Sequence, residues 1–242
     1  MDVIEKEQLS FIEAQNHWYY VSKYNVMRRQ IMGMDLPENP KLADFGCGAG
    51  LFLSMIVEDG LFSRSDLVGV DTAYPSEGIL PESGVRVVPL FPAGCKFDVI
   101  LLMDVLEHIA DASSALQHVT EHCKPGGYLF VTLPAMMMFW SPHDEYLGHQ
   151  KRYHLTDFQK LVDQIGGLKI ENLFYYFASI LPVAGPLRWF RRLGFQRKGS
   201  DMRPTIPSVN RWLTTLLAWE QGWMSGNRWA GLSVIAVCRK LK

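Results

Sequence analysis

The chain has 242 residues and is 48% hydrophobic, enough for one sizeable core in a single large domain. A formal net charge of −1, from 24 basic and 25 acidic residues, argues against a nucleic-acid partner, because neutralising phosphates takes a clear basic excess. The four cysteines, Cys47, Cys95, Cys123 and Cys238, share no paired spacing, so no disulfide framework and no metal site is expected, and the usage fits a reducing, cytoplasmic setting.

Residues 1–10 are rich in acids and lack an apolar core, so no signal peptide is expected. No apolar run reaches the roughly 18 residues that a bilayer span needs. Residues 8–34 read as one helix, since Phe11, Ala14, Trp18, Val21, Tyr24, Met27 and Ile31 recur at steps of three or four. The stripe packs on a core; a functional reading would turn Glu13, His17, Trp18 and Tyr19 towards a pocket. Pro37 and Pro40 end the segment.

Next comes Leu42-Ala43-Asp44-Phe45-Gly46-Cys47-Gly48-Ala49-Gly50-Leu51-Phe52, an apolar strand running into three alternate glycines and then a helix. Glycine lets the chain turn sharply and lets a ligand come close, and the N–H groups of the following helix face that ligand. A dinucleotide fold wants Gly-x-Gly-x-x-Gly, but Leu51 stands at the third glycine position and Gly50 comes one residue early. Asp44 before the loop would repel a pyrophosphate and could accept from an amine. A second strand, 66–71, ends in Asp71, 21 residues after Gly50, where an acid can accept from both ribose hydroxyls. Strand 85–90 is less regular. Residues 97–103 read as a fully buried strand, 111–123 as a helix, and Lys124-Pro125-Gly126-Gly127 as a turn into a strand over 128–133.

The series DFGCGAG, GVD, FDVILLMDVLEHI and CKPGGYLFVTLP, over roughly residues 40–135, resembles the class I S-adenosylmethionine-dependent methyltransferases in order and spacing. The resemblance implies a Rossmann-like, doubly wound α/β fold with a mostly parallel seven-stranded sheet, an N-terminal helix and a helical insertion before the last strand. It implies S-adenosylmethionine as cofactor, held by Asp44, Phe45, Gly46, Cys47, Gly48, Gly50, Asp71, Met103 and Asp104. Many members hold the adenine amino group with an Asp near the position of Phe91-Pro92-Ala93-Gly94. None stands there in this chain, which leaves backbone groups or apolar packing for that task.

Strand 128–133 ends at the ligand crevice, so the segment 134–157 begins at its mouth. It mixes Met136, Met137, Met138, Phe139 and Trp140 with His143, Asp144, Glu145, His149, Lys151, Arg152, Tyr153 and His154. Loops over a crevice tend to carry binding and catalysis, although the charges could instead pair with one another, Asp144 with Arg152 for instance. Methyl transfer from a sulfonium is an in-line displacement on an already activated carbon, so the protein must align the acceptor and, for an oxygen acceptor, remove a proton. His149 is the first choice as base and His143 the second. Asp144 would orient an imidazole or a hydroxyl, and Arg152 would clamp a carboxylate or phosphate. His118 and His122, four apart on a helix, read as a solvated face.

The remaining elements are a helix opened by Thr156-Asp157-Phe158-Gln159, a strand over 168–176, and a last strand within 229–239. Between them, 188–203 carries six basic residues and one acid beside Trp189, Phe190 and Leu193, which suits an anionic membrane surface or a packed helix. A helix over 208–221, capped by Ser208, would pack on the domain or on a second copy. The whole is expected to be one domain over 1–242: a helical cap over 1–40, a cofactor core over 41–133, an acceptor lid over 134–157 and a helical excursion over 177–227. The expected activity is methylation of an oxygen or nitrogen on a small-molecule, glycan- or lipid-linked acceptor. The alternative is a non-catalytic cofactor-binding module that regulates a partner.

Overall fold

Continuous apolar runs in the sequence become buried strands. The computed structural model describes residues 9–190, 204–223 and 226–241. Its strands are β1 (Leu42–Phe45), β2 (Leu67–Val70), β3 (Gly78–Ile79), β4 (Arg86–Val88), β5 (Phe97–Met103), β6 (Cys123–Pro134), β7 (Leu168–Tyr176) and β8 (Ser233–Lys240). They form one sheet in the order β3-β4-β2-β1-β5-β6-β8-β7. All seven residues of β5 are buried, as a strand covered on both faces requires. β4, β2, β1, β5 and β6 run parallel, and β8 lies antiparallel between β6 and β7. This is the doubly wound α/β sheet the sequence predicts. The eighth strand is the two-residue β3, an antiparallel edge piece beside β4 whose Ile79 is exposed.

The chain enters the sheet at β1, winds outwards through β2 and β4, and crosses back to β5 on the other side of β1. The connections after β1 and β5 therefore leave towards opposite faces, and a crevice opens between them at the carboxyl ends of the strands. Helices α3 (Leu51–Asp59), α4 (Ala112–His122) and α6 (Leu155–Ile165) cover the sheet. β6 starts earlier than the predicted strand over 128–133, because Cys123 pairs with Phe97 before the irregular Gly126 turn.

The single predicted N-terminal helix is two, α1 (Phe11–Asn16) and α2 (Trp18–Met32). They part at His17, whose backbone is extended and whose Nδ1 accepts from the Tyr19 N–H. Glu13 is spent in a capping box with Ser10 at the start of α1 and does not reach the crevice. The segment after β6 is no open loop. Helix α5 (Pro142–Leu147) folds within it, and the chain returns to the sheet edge where Tyr153 N donates to Pro134 O and Met136 N to Tyr153 O, at 2.8 and 3.0 Å. Beyond β7 come α7 (Leu181–Phe190) and α8 (Pro207–Trp223). Trp18 N donates to Asn210 Oδ1 and Asn210 Nδ2 to Asn16 O, which ties α8 to the domain at the junction of α1 and α2. α8 starts at Pro207, so Ser208 lies inside its first turn and is not the cap. The side chains of the basic segment 188–203 lie outside the described residues. No helix among the described residues is long and apolar enough to cross a membrane.

One ion pair fixes α2 over the crevice. Lys23, 1% exposed, meets Asp104 at the end of β5, and its ammonium lies 4.6 Å from the centre of the Tyr19 ring. Burial alone would push that ammonium's pKa down, but the Asp104 carboxylate outweighs burial and holds it above its ordinary range. Lys23→Met is expected to lower stability in urea unfolding by about 3 kcal/mol, the lower end for a broken buried pair, since the Asp104 side chain keeps 26% exposure to the crevice. Lys23→Met/Asp104→Asn should recover most of that loss.

Candidate active site

The loop between β1 and α3 is built on left-handed backbone, with φ of 73° at Gly46, 53° at Gly48 and 76° at Gly50. At Gly46 a Cβ would also come within 2.7 Å of Val105 Cγ2, so glycine is needed for both conformation and space. Asp71, just past β2, braces the loop: its Oδ2 accepts from Gly48 N and its Oδ1 from Ala73 N, each at 2.8 Å. Gly46, Gly48 and Asp71 line one end of a cavity of about 980 Å³. Phe45 joins them, its ring stacked on Phe91 at 5.6 Å, and Pro89 and Leu90 extend that apolar wall. Met103 and Asp104 line the middle. Asp104 is held at a φ of 57°, with Thr132 Oγ1 donating to its Oδ1 at 2.9 Å and Tyr19 OH to its Oδ2 at 3.4 Å. Phe177, at a φ of 64°, is a second left-handed non-glycine residue on the cavity wall.

Three predicted cofactor contacts are absent from this wall. Asp44 faces the interior at 1% exposure, and its Oδ1 has no hydrogen-bond partner. Burial, aided by the Asp71 charge, pushes its pKa up to about 7. Cys47 turns under the loop towards β2, where a Cβ on Gly69 would stand 2.8 Å from its Sγ. Gly50 serves as the N-cap of α3 and packs against Leu80. In a strand and the turn that follows it, neighbouring side chains take opposite faces, so adjacency in a motif does not bring all of them to one ligand.

The far end of the cavity is made by the segment carrying α5. Asp144 is fully buried, and five donors meet its carboxylate. Ser141 N reaches it at 2.9 Å and Ser141 Oγ at 3.3 Å; Arg152 Nε and Nη2 bind it in a fork at 2.8 and 3.0 Å; His149 Nδ1 lies 2.8 Å from Oδ1. Burial alone would raise the Asp144 pKa, but His149 and Arg152 hold it well below the usual carboxylate range. Arg152 also gives Nη1 to Ala135 O at 3.1 Å. These contacts make Arg152 the anchor of Asp144, and its guanidinium also lines the cavity. His149 and His143 both line the cavity.

Glu107, His108 and Tyr20 line the cavity without being singled out in the sequence, whereas His17, Trp18 and Tyr19 follow the functional reading of their stripe. Glu107 is fully buried, and neither carboxylate oxygen has a hydrogen-bond partner among the described residues. Burial first, then the neighbouring Asp104 charge, pushes its pKa well above the ordinary range. The signal was an acid between Leu106 and Ile109 directly after a buried strand, where solvent cannot reach. His108 follows it, its ring edge-on to His149 with centroids 4.8 Å apart. His17, Trp18, Tyr19 and Tyr20 reach the cavity, so the aromatic stripe of α2 is wall as well as core. His118 is exposed, as a solvated face predicts, but it also lines the cavity and packs with His122 on Phe91.

A glycine loop and an acid at successive carboxyl ends of a doubly wound sheet define a nucleotide-type cofactor-binding protein. Residues 17–171 match the family described as "Methyltransferase domain". The chain belongs to that family, the class I S-adenosylmethionine-dependent methyltransferases, whose cofactor is S-adenosylmethionine. Similar chains include the ubiquinone biosynthesis O-methyltransferases of Sinorhizobium medicae (strain WSM419), 35% identical over 105 residues, and of Azorhizobium caulinodans, 34% over 103. The matches cover 39% and 38% of this chain and only 41% and 39% of those relatives. Among solved structures, a chain in the complex of the Haloferax volcanii Trm112 methyltransferase activator with a methyltransferase aligns with a TM-score of 0.56 at 14% identity, over 100% of this chain and 99% of that one. The plantazolicin methyltransferase BpumL, in complex with a substrate analogue and S-adenosylhomocysteine, aligns with a TM-score of 0.52 at 13% identity, over 99% and 88%. At these identities the likeness is one of fold.

Asp44 yields a pH test. A carboxyl whose folded pKa is raised to about 7 disfavours folding progressively as pH climbs from about 4 to 7, by about 1.4 kcal/mol per unit in that window. The stability gained by Asp44→Asn over wild type is expected to be larger at pH 8 than at pH 5, read from denaturant midpoints. An equal effect at both would show that Asp44 is not the strained group.

Proposed function

We propose that this chain moves the methyl group of S-adenosylmethionine to a hydroxyl oxygen of a small acceptor with a largely apolar body, and that His149 takes the hydroxyl proton. The observation that carries this reading is the buried Asp144–His149 pair on the wall of the same cavity that holds Gly46, Gly48 and Asp71. The O-methyltransferase names of the sequence relatives favour oxygen over nitrogen.

The fit to the cofactor rests on residues present. Gly46 and Gly48 line the cavity in a left-handed backbone that turns the loop towards it, Asp71 keeps acceptor capacity for ribose hydroxyls, and Phe45, Leu90 and Phe91 offer an apolar wall for the base. Met103 and Asp104 lie between the two ends, Asp104 as the acceptor for an ammonium. When bound, the cofactor supplies an activated methyl on a sulfonium. The chain's own part is to place the acceptor oxygen in line with that methyl and to hold a base beside it. Asp144 fixes the His149 ring through Nδ1 and leaves Nε2 for the hydroxyl proton. The volume of about 980 Å³ holds a cofactor and a second molecule, and Ile180, Ala184, Leu187 and Ile206 give the acceptor's apolar part a surface. The division into a core over 41–133 and an acceptor lid over 134–157 belongs to the same proposal.

The test uses S-adenosylhomocysteine release in a screen of hydroxylated aromatic and lipid-extract acceptors, with calorimetry of S-adenosylmethionine binding alongside. His149→Ala is expected to lower turnover by about 10²–10⁴-fold while cofactor affinity stays within about threefold. Gly48→Val should abolish cofactor binding with the fold intact. Turnover unchanged in His149→Ala would overturn the assignment of the base.

A further inference from the structure

The wall facing the glycine loop carries a grouping that proton removal by one histidine does not require. One ligand atom each from Glu107, His108 and His149 lies within 4.8 Å of the other two. Ligands about 2.1 Å from a shared ion stand roughly 3–4 Å apart, so modest side-chain torsions close the set. Glu107 is the telling member: it is fully buried, it lines the cavity, and neither of its oxygens has a hydrogen-bond partner among the described residues. A buried carboxyl without a partner either keeps its proton or is compensated by a cation, and a bound ion would be such a cation. Lys23 and Arg152, whose charges act on Glu107, form their ion pairs with Asp104 and Asp144.

The backbone holds the three residues together. Glu107 and His108 sit in the turn after β5, and His149 follows α5. The two segments are joined by Gln150 N donating to Glu107 O at 2.7 Å and Tyr153 OH to Leu106 O at 3.3 Å. His149 is oriented by Asp144 through Nδ1, so its Nε2 is the nitrogen that can bind. A carboxylate behind a ligating imidazole is a common way to fix the ring of a metal ligand.

We propose that Glu107, His108 and His149 bind one divalent transition-metal ion, with Asp144 behind His149. Two imidazoles and one carboxylate suit zinc, manganese or iron better than magnesium, which prefers oxygen ligands. Three protein ligands leave positions open towards the cavity. An acceptor hydroxyl bound at one of them would lose its proton to solvent more readily; with Nε2 on the ion, His149 would be a ligand, and its role as direct base above would then describe the ion-free protein. That role rests on the methyl-transfer reading above; ion binding does not.

The experiment titrates chelator-treated full chain with Co²⁺, following visible absorption, then displaces it with Zn²⁺; S-adenosylmethionine binding is measured on the same sample. One ion per chain is expected, with affinity reduced about tenfold or more in both Glu107→Gln and His108→Asn. Thermal melts identify a variant that fails to fold, in which case the other decides. No saturable uptake, or uptake unchanged in the folded variants, overturns the proposal. Cofactor binding without ion uptake rejects the ion alone. Ion uptake without cofactor binding rejects the methyl-transfer reading and supports the site.

Discussion

The wall of the cavity built by the segment carrying α5 depends on one carboxylate. Asp144 has no solvent exposure, yet it is charged, because a forked arginine, a histidine and the cap of a short helix all donate to it. Removing any one of these leaves a buried charge short of partners, which is costly in a low-dielectric interior. The same contacts start α5, hold Arg152 against the sheet edge and point His149 into the cavity. A loop that would otherwise wander over the crevice becomes a wall of fixed shape, and fixed shape is what aligning a reactant requires.

The glycine-loop end of the cavity depends on a different constraint, the topology of the sheet. Because the chain begins in the middle and winds out before crossing back, the carboxyl ends of β1, β2 and β5 converge on one crevice. Gly46, Asp71 and Asp104 stand at those three ends. Asp104 is the point where the two halves meet. It takes a left-handed backbone, it is tied to β6 through Thr132, and it receives Lys23 from α2. The N-terminal helices are thereby locked over the crevice by an ion pair between residues far apart in the chain.

Much of this was legible in the sequence. The runs over 97–103 and 168–176 read as strands and are strands, and the glycine spacing with Asp71 marked the loop that lines one end of the cavity. What could not be read was facing. Asp44 and Cys47 belong to the same motif as Gly46, but their side chains point into the core. Lys23 on a helix reads as a solvated lysine until Asp104 is brought to it. Asp144 and Arg152 are close enough in sequence for pairing to be one reading among two, and the return of Tyr153 to the sheet edge decides it. Glu107 is not marked by its sequence context because its significance is the lack of a hydrogen-bond partner among the described residues, which only the fold displays.

The most direct measurement is a crystal structure with S-adenosylhomocysteine bound. The account predicts its ribose at Asp71, its base against Phe91 and Leu90, and its sulfur open to the side where His149 stands. A sulfur turned away from His149, or a molecule bound outside the Gly46–Gly48 loop, would contradict the account.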